Sequence, residues 1–245
     1  MIKPYDPEIK ELIDQYERHQ QFEHMATTLG YIRYNVLPYY EASPYKMKGV
    51  SHIIRKLKYV DYIYQVSPIT MQIIPEACLS LAAAYYELSL VWDEFNPRYD
   101  GYCLGQKSTK IICENFLRDI EENVPCGTMY WLYILQEADI ISSPTYGRMK
   151  PGGAELLYDV NNMADLQMMS FKDFIDETIS DYSLIYPTYE KANVYKIAIG
   201  RLWAKYGPNG AFRIHGATLN GCHEITSKYD IFQNKLDEIR KAVYE

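Results

Sequence analysis

The segment from Gly200 to Glu224 contains the residue types in this chain that are best suited to catalysis. Its candidate catalytic residues are His215, Cys222 and His223, since a cysteine beside a histidine base can act as a nucleophile. Glycines are frequent in the segment, and they let backbone N–H groups approach an anionic ligand. The cations that would bind such an anion are Arg201 and Arg213. The segment therefore predicts either a small enzyme acting on an anionic substrate or a turn-rich connection whose glycines supply positive φ angles.

A run of cations from Lys46 to Lys58 is the second candidate site, and no acid interrupts it. Cations flanked by aromatic rings are the groups that bind single-stranded nucleic acid. On a helix, the same cations would form the polar side opposite Ile54, Leu57 and Ile63. The run thus predicts either a weak nucleic-acid contact or a surface that faces solvent or a protein partner. We define the basic patch by its lysine and arginine side chains, which are Lys46, Lys48, Arg55, Lys56 and Lys58.

Tyrosine is the anomaly of the composition, with 25 tyrosines against 7 phenylalanines. Tyrosine buries a large rigid ring and keeps a hydroxyl for hydrogen bonding, so it is enriched at protein interfaces. Many tyrosines fall between Tyr31 and Tyr64, where prolines break the chain beside the basic patch. This pattern predicts a docking surface on a subunit of a larger assembly. The predicted interface residues are Tyr31, Tyr34, Tyr39, Tyr40, Tyr45, Tyr59 and Tyr62.

No motif predicts a metal ion or a cofactor. P-loop, dinucleotide GxGxxG, kinase and GxSxG patterns are absent from the sequence. The 5 cysteines are odd in number and form no CxxC pair. His19 and His24 are too far apart around a helix to share a metal. We therefore expect no metal, no cofactor, and free thiols in a reducing, intracellular compartment.

The net charge of −7 excludes a general nucleic-acid coat, which would need the opposite sign. The acidic residues are concentrated between Glu137 and Glu190, where few cations oppose them. Such a segment is typical of solvated helix faces, and it could also meet a basic partner.

The spacing of apolar residues predicts a mainly α protein, an irregular multi-helix bundle of about eight helices with long loops. Short extended segments at 31–37 and 212–219 are candidates for a β-hairpin. The apolar stretch from Ala77 to Trp92 is interrupted by Glu87 and is too short to span a bilayer, so it predicts a buried core helix. Residues 1–245 are expected to form one compact unit, with 96–107 as the best candidate for a sub-boundary.

These patterns favour a non-enzymatic structural or interaction protein, an oligomeric subunit that contacts other protein subunits. A helical chain rich in tyrosine, isoleucine, asparagine and lysine suits a phage or mobile-element product, and the leading expectation is a virion connector or tail-ring component. The first alternative is an inhibitor of a host defence complex. The second alternative is the small enzyme centred on 200–224. If the protein is viral, its expected location is the virion.

Overall fold

The computed structural model describes residues 23–66, 74–92, 104–124, 128–141, 152–168, 170–206 and 223–244. Within these ranges the chain is mainly helical and contains no strand, which confirms the predicted irregular helical bundle. The α-helices are, in chain order, α1 (Glu23–Tyr31), α2 (Leu37–Glu41), α3 (Val50–Val66), α4 (Glu76–Tyr85), α5 (Leu104–Asn115), α6 (Leu117–Asn123), α7 (Thr128–Ile141), α8 (Gly153–Met168), α9 (Phe171–Ile185), α10 (Lys191–Tyr206) and α11 (His223–Tyr244). Shorter turns are the π-helical Ile32–Val36 and the 3₁₀ turns Lys46–Lys48 and Leu88–Leu90.

Helix α4 lies at the centre of the core because it is apolar on almost every side. Every residue from Ala77 to Tyr85 is buried, and a helix without a polar face must be enclosed by others. Helices α1, α3, α7 and α8 all pack against it. The predicted core helix is thereby confirmed, although it ends at Tyr85 and is followed by a 3₁₀ turn rather than continuing to Trp92.

Helices α9, α10 and α11 form a second layer that aromatic rings hold together. The Ser170 hydroxyl accepts a hydrogen bond of 3.1 Å from the Asp173 N–H, which caps the start of α9. Phe174, Tyr206 and Phe232, one from each helix, contact edge to face with ring centroids 5.2–5.7 Å apart. Helix α8 joins this layer to the core because it packs against α9 and α11 as well as α3 and α7.

The extended segment predicted at 31–37 is wrong, because this stretch is helical. It comprises the end of α1, the π-helical turn and the first residue of α2. Ile32, Val36 and Tyr40 are buried and recur every four residues, which is helical spacing. Pro38 is tolerated because it lies in the first turn of α2, where its missing N–H breaks no helical hydrogen bond. The other predicted strand, 212–219, lies outside the described residues.

No helix in the described ranges is long and apolar enough to cross a membrane. The candidate sub-boundary at 96–107 is described only from Leu104, where α5 begins. Side chains on both sides of it, such as Leu88 and Ile112, belong to one hydrophobic cluster. That residues 1–245 form one compact unit stays a prediction.

Candidate functional site

Four ionisable side chains meet in the interior, where the end of α4 approaches α3. The Glu87 carboxylate lies 2.9 Å from His52 Nε2 and 2.8 Å from Lys56 Nζ, and its other oxygen contacts Lys48 Nζ. His52 and Lys56 are fully buried, and Glu87 is 2% exposed. Lys56 also donates a hydrogen bond of 3.2 Å to the Ala83 carbonyl. We name Lys48, His52, Lys56 and Glu87 the buried charge cluster.

The cluster follows from a four-residue spacing in the sequence. Lys48, His52 and Lys56 recur every four residues through the turn and into α3, so they lie along one side of that helix. That side packs against α4, and Glu87 follows α4 directly. Burial by itself raises the pKa of Glu87, but the charges of Lys48 and Lys56, together with His52 and its hydrogen bond, hold that pKa well below its ordinary value. The carboxylate is therefore ionised at neutral pH.

The chemistry of the buried charge cluster suits charge pairing rather than proton transfer. A general base works best when its pKa lies near the operating pH. Glu87 has a depressed pKa and both of its oxygens contact cations. Removing Glu87 would leave the buried Lys56 charge without its counter-charge, which costs several kcal/mol.

A second buried carboxylate fixes the turn that leads into α3. Asp181 of α9 accepts hydrogen bonds from the backbone N–H groups of Lys46 (2.7 Å) and Met47 (2.9 Å). Burial raises the pKa of Asp181, and these two hydrogen bonds oppose that rise. Asp181 thus holds the backbone of the turn, while Glu87 holds the Lys48 side chain that the turn carries.

A pocket of about 120 Å³ opens between this turn and helices α8, α9 and α10. Its apolar wall includes the buried side chains of Phe174, Leu202 and Tyr206. Asn161 of α8 also lines it, with a buried side-chain oxygen that has no hydrogen-bond partner in the described part of the chain. Arg201 of α10 lines it as well, and this exposed side chain forms no ion pair with any described residue.

A row of tyrosine rings extends from the pocket to the surface. Tyr182 lines the pocket and stacks on Tyr186 with ring centroids 6.2 Å apart. Tyr186 contacts Tyr189 at 5.2 Å. Tyr189 is 52% exposed, so the row ends in solvent. The many tyrosines of the sequence therefore form clusters of contacting rings, some of them at the surface.

The tyrosines predicted as interface residues do not share one exposed surface, and their contact with a partner stays a prediction. The Tyr31 hydroxyl donates a hydrogen bond of 2.6 Å to Asp119, and the Tyr40 hydroxyl donates one of 2.7 Å to the Ala84 carbonyl. Only Tyr34 is largely exposed. The other rings are turned partly or wholly inward. The buried or half-buried members are Tyr31, Tyr39, Tyr40, Tyr45, Tyr59 and Tyr62.

The basic patch is not a continuous solvated face, because acids neutralise three of its members. Lys48 and Lys56 pair with Glu87 in the interior. Arg55 lies 3.5 Å from a carboxylate oxygen of Glu177. The remaining members are the exposed Lys46 and the half-buried Lys58. The charge density that single-stranded nucleic acid would require is therefore largely used within the fold.

Two of the candidate catalytic residues, His215 and Cys222, lie outside the described residues. His223 is the first residue of α11. Their role in catalysis stays a prediction. In the ranges that the structure describes, no three His, Cys, Asp or Glu side chains come together in a way that could hold a metal ion.

Comparison with known protein families, curated proteins and solved structures finds no match to the chain. Its own contacts and surfaces are therefore the basis for a functional proposal.

The buried charge cluster is not among the sites predicted from the sequence, although two features of the sequence mark it. Glu87 is a charged residue inside a long apolar stretch, and a buried charge requires a partner of opposite sign. The four-residue spacing of Lys48, His52 and Lys56 is the second signal. No comparable signal marks Asn161 or Arg201, since only the packing of α8 and α10 brings them to one pocket.

Proposed function

We propose that the protein is a non-enzymatic subunit of an oligomer in which copies of the chain contact one another head to tail. The observation that carries the proposal is a pair of exposed aromatic patches on different helices. The α7 patch consists of Tyr130 and Tyr133, which are 45% and 56% exposed. The α9 patch lies at the C-terminal end of α9 and consists of the half-buried Tyr186 and of Tyr189, which is 52% exposed.

Tyr130, Tyr133 and Tyr189 are exposed, whereas most of the tyrosines that the sequence predicts as interface residues are buried. Tyr130 and Tyr133 are three residues apart and lie on one face of α7, whereas the intervening Trp131 and Leu132 are buried. Clustered aromatic side chains at a surface are typical of protein–protein contacts, where they supply rigid apolar area and a hydroxyl. Both patches have the composition that an interface requires.

The separation of the two patches favours a head-to-tail contact. Helices α7 and α9 both pack against α8, but within the described ranges they do not pack extensively against each other. A two-fold dimer uses the same patch on both subunits, whereas a head-to-tail contact joins two different patches. A second copy of this chain is therefore the occupant that we propose for each patch.

A head-to-tail contact that closes on itself produces a ring. A ring is consistent with the virion connector or tail-ring component expected from the sequence, and that finer identity stays a prediction. The inhibitor of a host defence complex and the small enzyme centred on 200–224 also stay predictions, and neither is favoured by a contact among the described residues.

The native mass of the full chain tests the proposal. We expect wild-type protein to show a multiple of 28.7 kDa in native mass spectrometry. Tyr133→Glu and Tyr189→Glu each place a charge in one patch, so each variant alone should be monomeric. Mixed together, the two variants still offer one intact α7 patch and one intact α9 patch, and they should form a 1:1 dimer.

Tyr34→Glu is the matched control, because Tyr34 is 49% exposed and lies in neither patch. This variant should keep the wild-type mass. A monomeric wild-type protein would overturn the proposal, as would a wild-type mass retained by both patch variants. Two variants that remain monomeric when mixed would show that the patches do not contact each other.

A further inference from the structure

We propose that the pocket between the Lys46–Lys48 turn and helices α8, α9 and α10 binds a free small aromatic carboxylate that carries a hydroxyl group. This site lies beyond the proposed oligomer contact and does not depend on it. Three features of the pocket define the ligand, namely an apolar wall, an exposed guanidinium and an unused amide oxygen.

The apolar wall sets the body of the ligand. Phe174, Leu202 and Tyr206 contribute buried carbon surface to it. A site that holds one water needs about 10–15 Å³ of accessible volume, so a pocket of about 120 Å³ has room for a ligand of about ten non-hydrogen atoms. A single ring with two small substituents has that size. Aromatic side chains in the wall favour a ring over a flexible chain.

Arg201 sets the charge of the ligand. Its guanidinium forms no ion pair with any described residue, and a guanidinium binds a carboxylate through two parallel hydrogen bonds. The other cation that lines the pocket, Lys48, already contacts Glu87. The pocket therefore offers one unused positive charge, at Arg201, to an anionic ligand.

Asn161 sets the second polar group of the ligand. The residue is 8% exposed, and its side-chain oxygen is buried without a hydrogen-bond partner among the described residues. A buried polar atom without a hydrogen-bond partner is unfavourable, and a ligand group that bonds to it would remove that cost. The oxygen and nitrogen of an amide exchange places when the group rotates by half a turn. A hydroxyl both donates and accepts, so it matches either orientation.

Asp181 disfavours the reverse orientation of the ligand. Its carboxylate lines the same pocket and already accepts two backbone hydrogen bonds. A ligand carboxylate placed beside it would meet a like charge in a partly buried site. The ligand carboxylate is therefore directed to Arg201, and its hydroxyl is directed to Asn161.

Calorimetric titration of the full chain with 2-, 3- and 4-hydroxybenzoate tests the proposal. We expect at least one isomer to bind saturably with 1:1 stoichiometry. Benzoate lacks the hydroxyl, and the matching hydroxybenzamide lacks the charge. Each should bind about tenfold more weakly, which is the loss expected for one polar contact.

Two variants locate the site, and one serves as control. Arg201→Gln should bind the hydroxybenzoate no more tightly than the hydroxybenzamide, because both ligands then lack the ion pair. Asn161→Ala should remove the preference for hydroxybenzoate over benzoate. Arg118→Gln, an exposed arginine outside the pocket, should bind like wild type.

The absence of saturable binding for all three isomers would overturn the proposal. Binding that neither Arg201→Gln nor Asn161→Ala weakens would place the ligand elsewhere and would also overturn it. A native mass that stays unchanged in these variants would separate this result from any failure of the oligomer proposal, because neither residue lies in the α7 or α9 patch.

Discussion

Glu87 is the residue on which the interior charge balance depends. Lys48, His52 and Lys56 converge on its carboxylate, and two of these three partners are fully buried. Buried ion pairs are not strongly stabilising when compared with apolar side chains of the same size. Removing Glu87 would nevertheless destabilise the fold, because the buried Lys56 charge would lose its counter-charge in a medium that solvates it poorly.

Replacement of Glu87 by glutamine should lower the free energy of unfolding by about 3–5 kcal/mol at pH 7, since two lysines lose their counter-charge. The measurement is urea unfolding followed by circular dichroism. Glu122→Gln is the matched control, because Glu122 is exposed and pairs only with Arg118 on the same helix. That change should alter stability by less than about 1 kcal/mol.

The difference in stability between wild type and Glu87→Gln should depend on pH in a direction that the pKa of Glu87 fixes. The pKa of Glu87 is lower in the folded state than in the unfolded chain, where it is about 4.3. Its stabilising contribution is therefore fully present above that value and is lost as pH falls toward the folded pKa. The stability difference between wild type and Glu87→Gln should shrink as pH falls below about 5. A constant difference across that range would contradict the assignment.

At the residue scale, the type of a residue and its spacing along the sequence are poor predictors of burial for side chains with both an apolar and a polar part, such as lysine and tyrosine. Lys56 was expected on the polar side of α3 but is fully buried, because Glu87 lies opposite it. Tyr40 is a predicted interface residue, yet its ring is buried and its hydroxyl donates a hydrogen bond to the Ala84 carbonyl inside the core. In both cases the deciding partner is distant in sequence, so no local pattern contains it.

At the element scale, the sequence predicts the helices with strong local signals. The core helix predicted from the apolar run of α4 is confirmed. The segment 31–37 is too short for its apolar spacing to distinguish a strand from a helix. Packing of the π-helical turn against α1, α2 and α4 decides its conformation, and that packing is a tertiary property.

The Lys46–Lys48 turn is the element whose position depends most clearly on another helix. Asp181→Ala would remove the acceptor of two backbone N–H groups. We expect a loss of about 1–3 kcal/mol and faster hydrogen exchange at the Lys46 and Met47 amides. Asp176→Ala, an exposed substitution on the same helix, should change neither. Unchanged exchange at both amides in Asp181→Ala would contradict the role of Asp181 in holding the turn.

At the scale of the whole molecule, the spacing of apolar residues correctly predicts an irregular helical bundle but not the charges buried inside it. Several acids of the segment Glu137–Glu190 were expected on solvated faces, and Glu155, Asp159 and Asp181 are buried instead. The pocket was equally inaccessible to sequence reasoning, because it forms between α8, α9, α10 and the turn before α3. Features that require three or more elements to meet are set by topology rather than by periodicity.

If residues 1–245 form one cooperative unit, the rate at which a thiol reagent labels Cys78 should report unfolding of the whole unit. Cys78 is buried in α4, whereas Cys113 is exposed. Phe174→Leu weakens the distant ring cluster of α9, α10 and α11 by about 1 kcal/mol. If the layers unfold together, this variant should speed thiol labelling of Cys78 about fivefold, because labelling follows the unfolded population. Peptide-resolved mass spectrometry measures it, with Cys113 labelling unchanged as control. Labelling of Cys78 at the wild-type rate would show that the core and the second layer unfold separately.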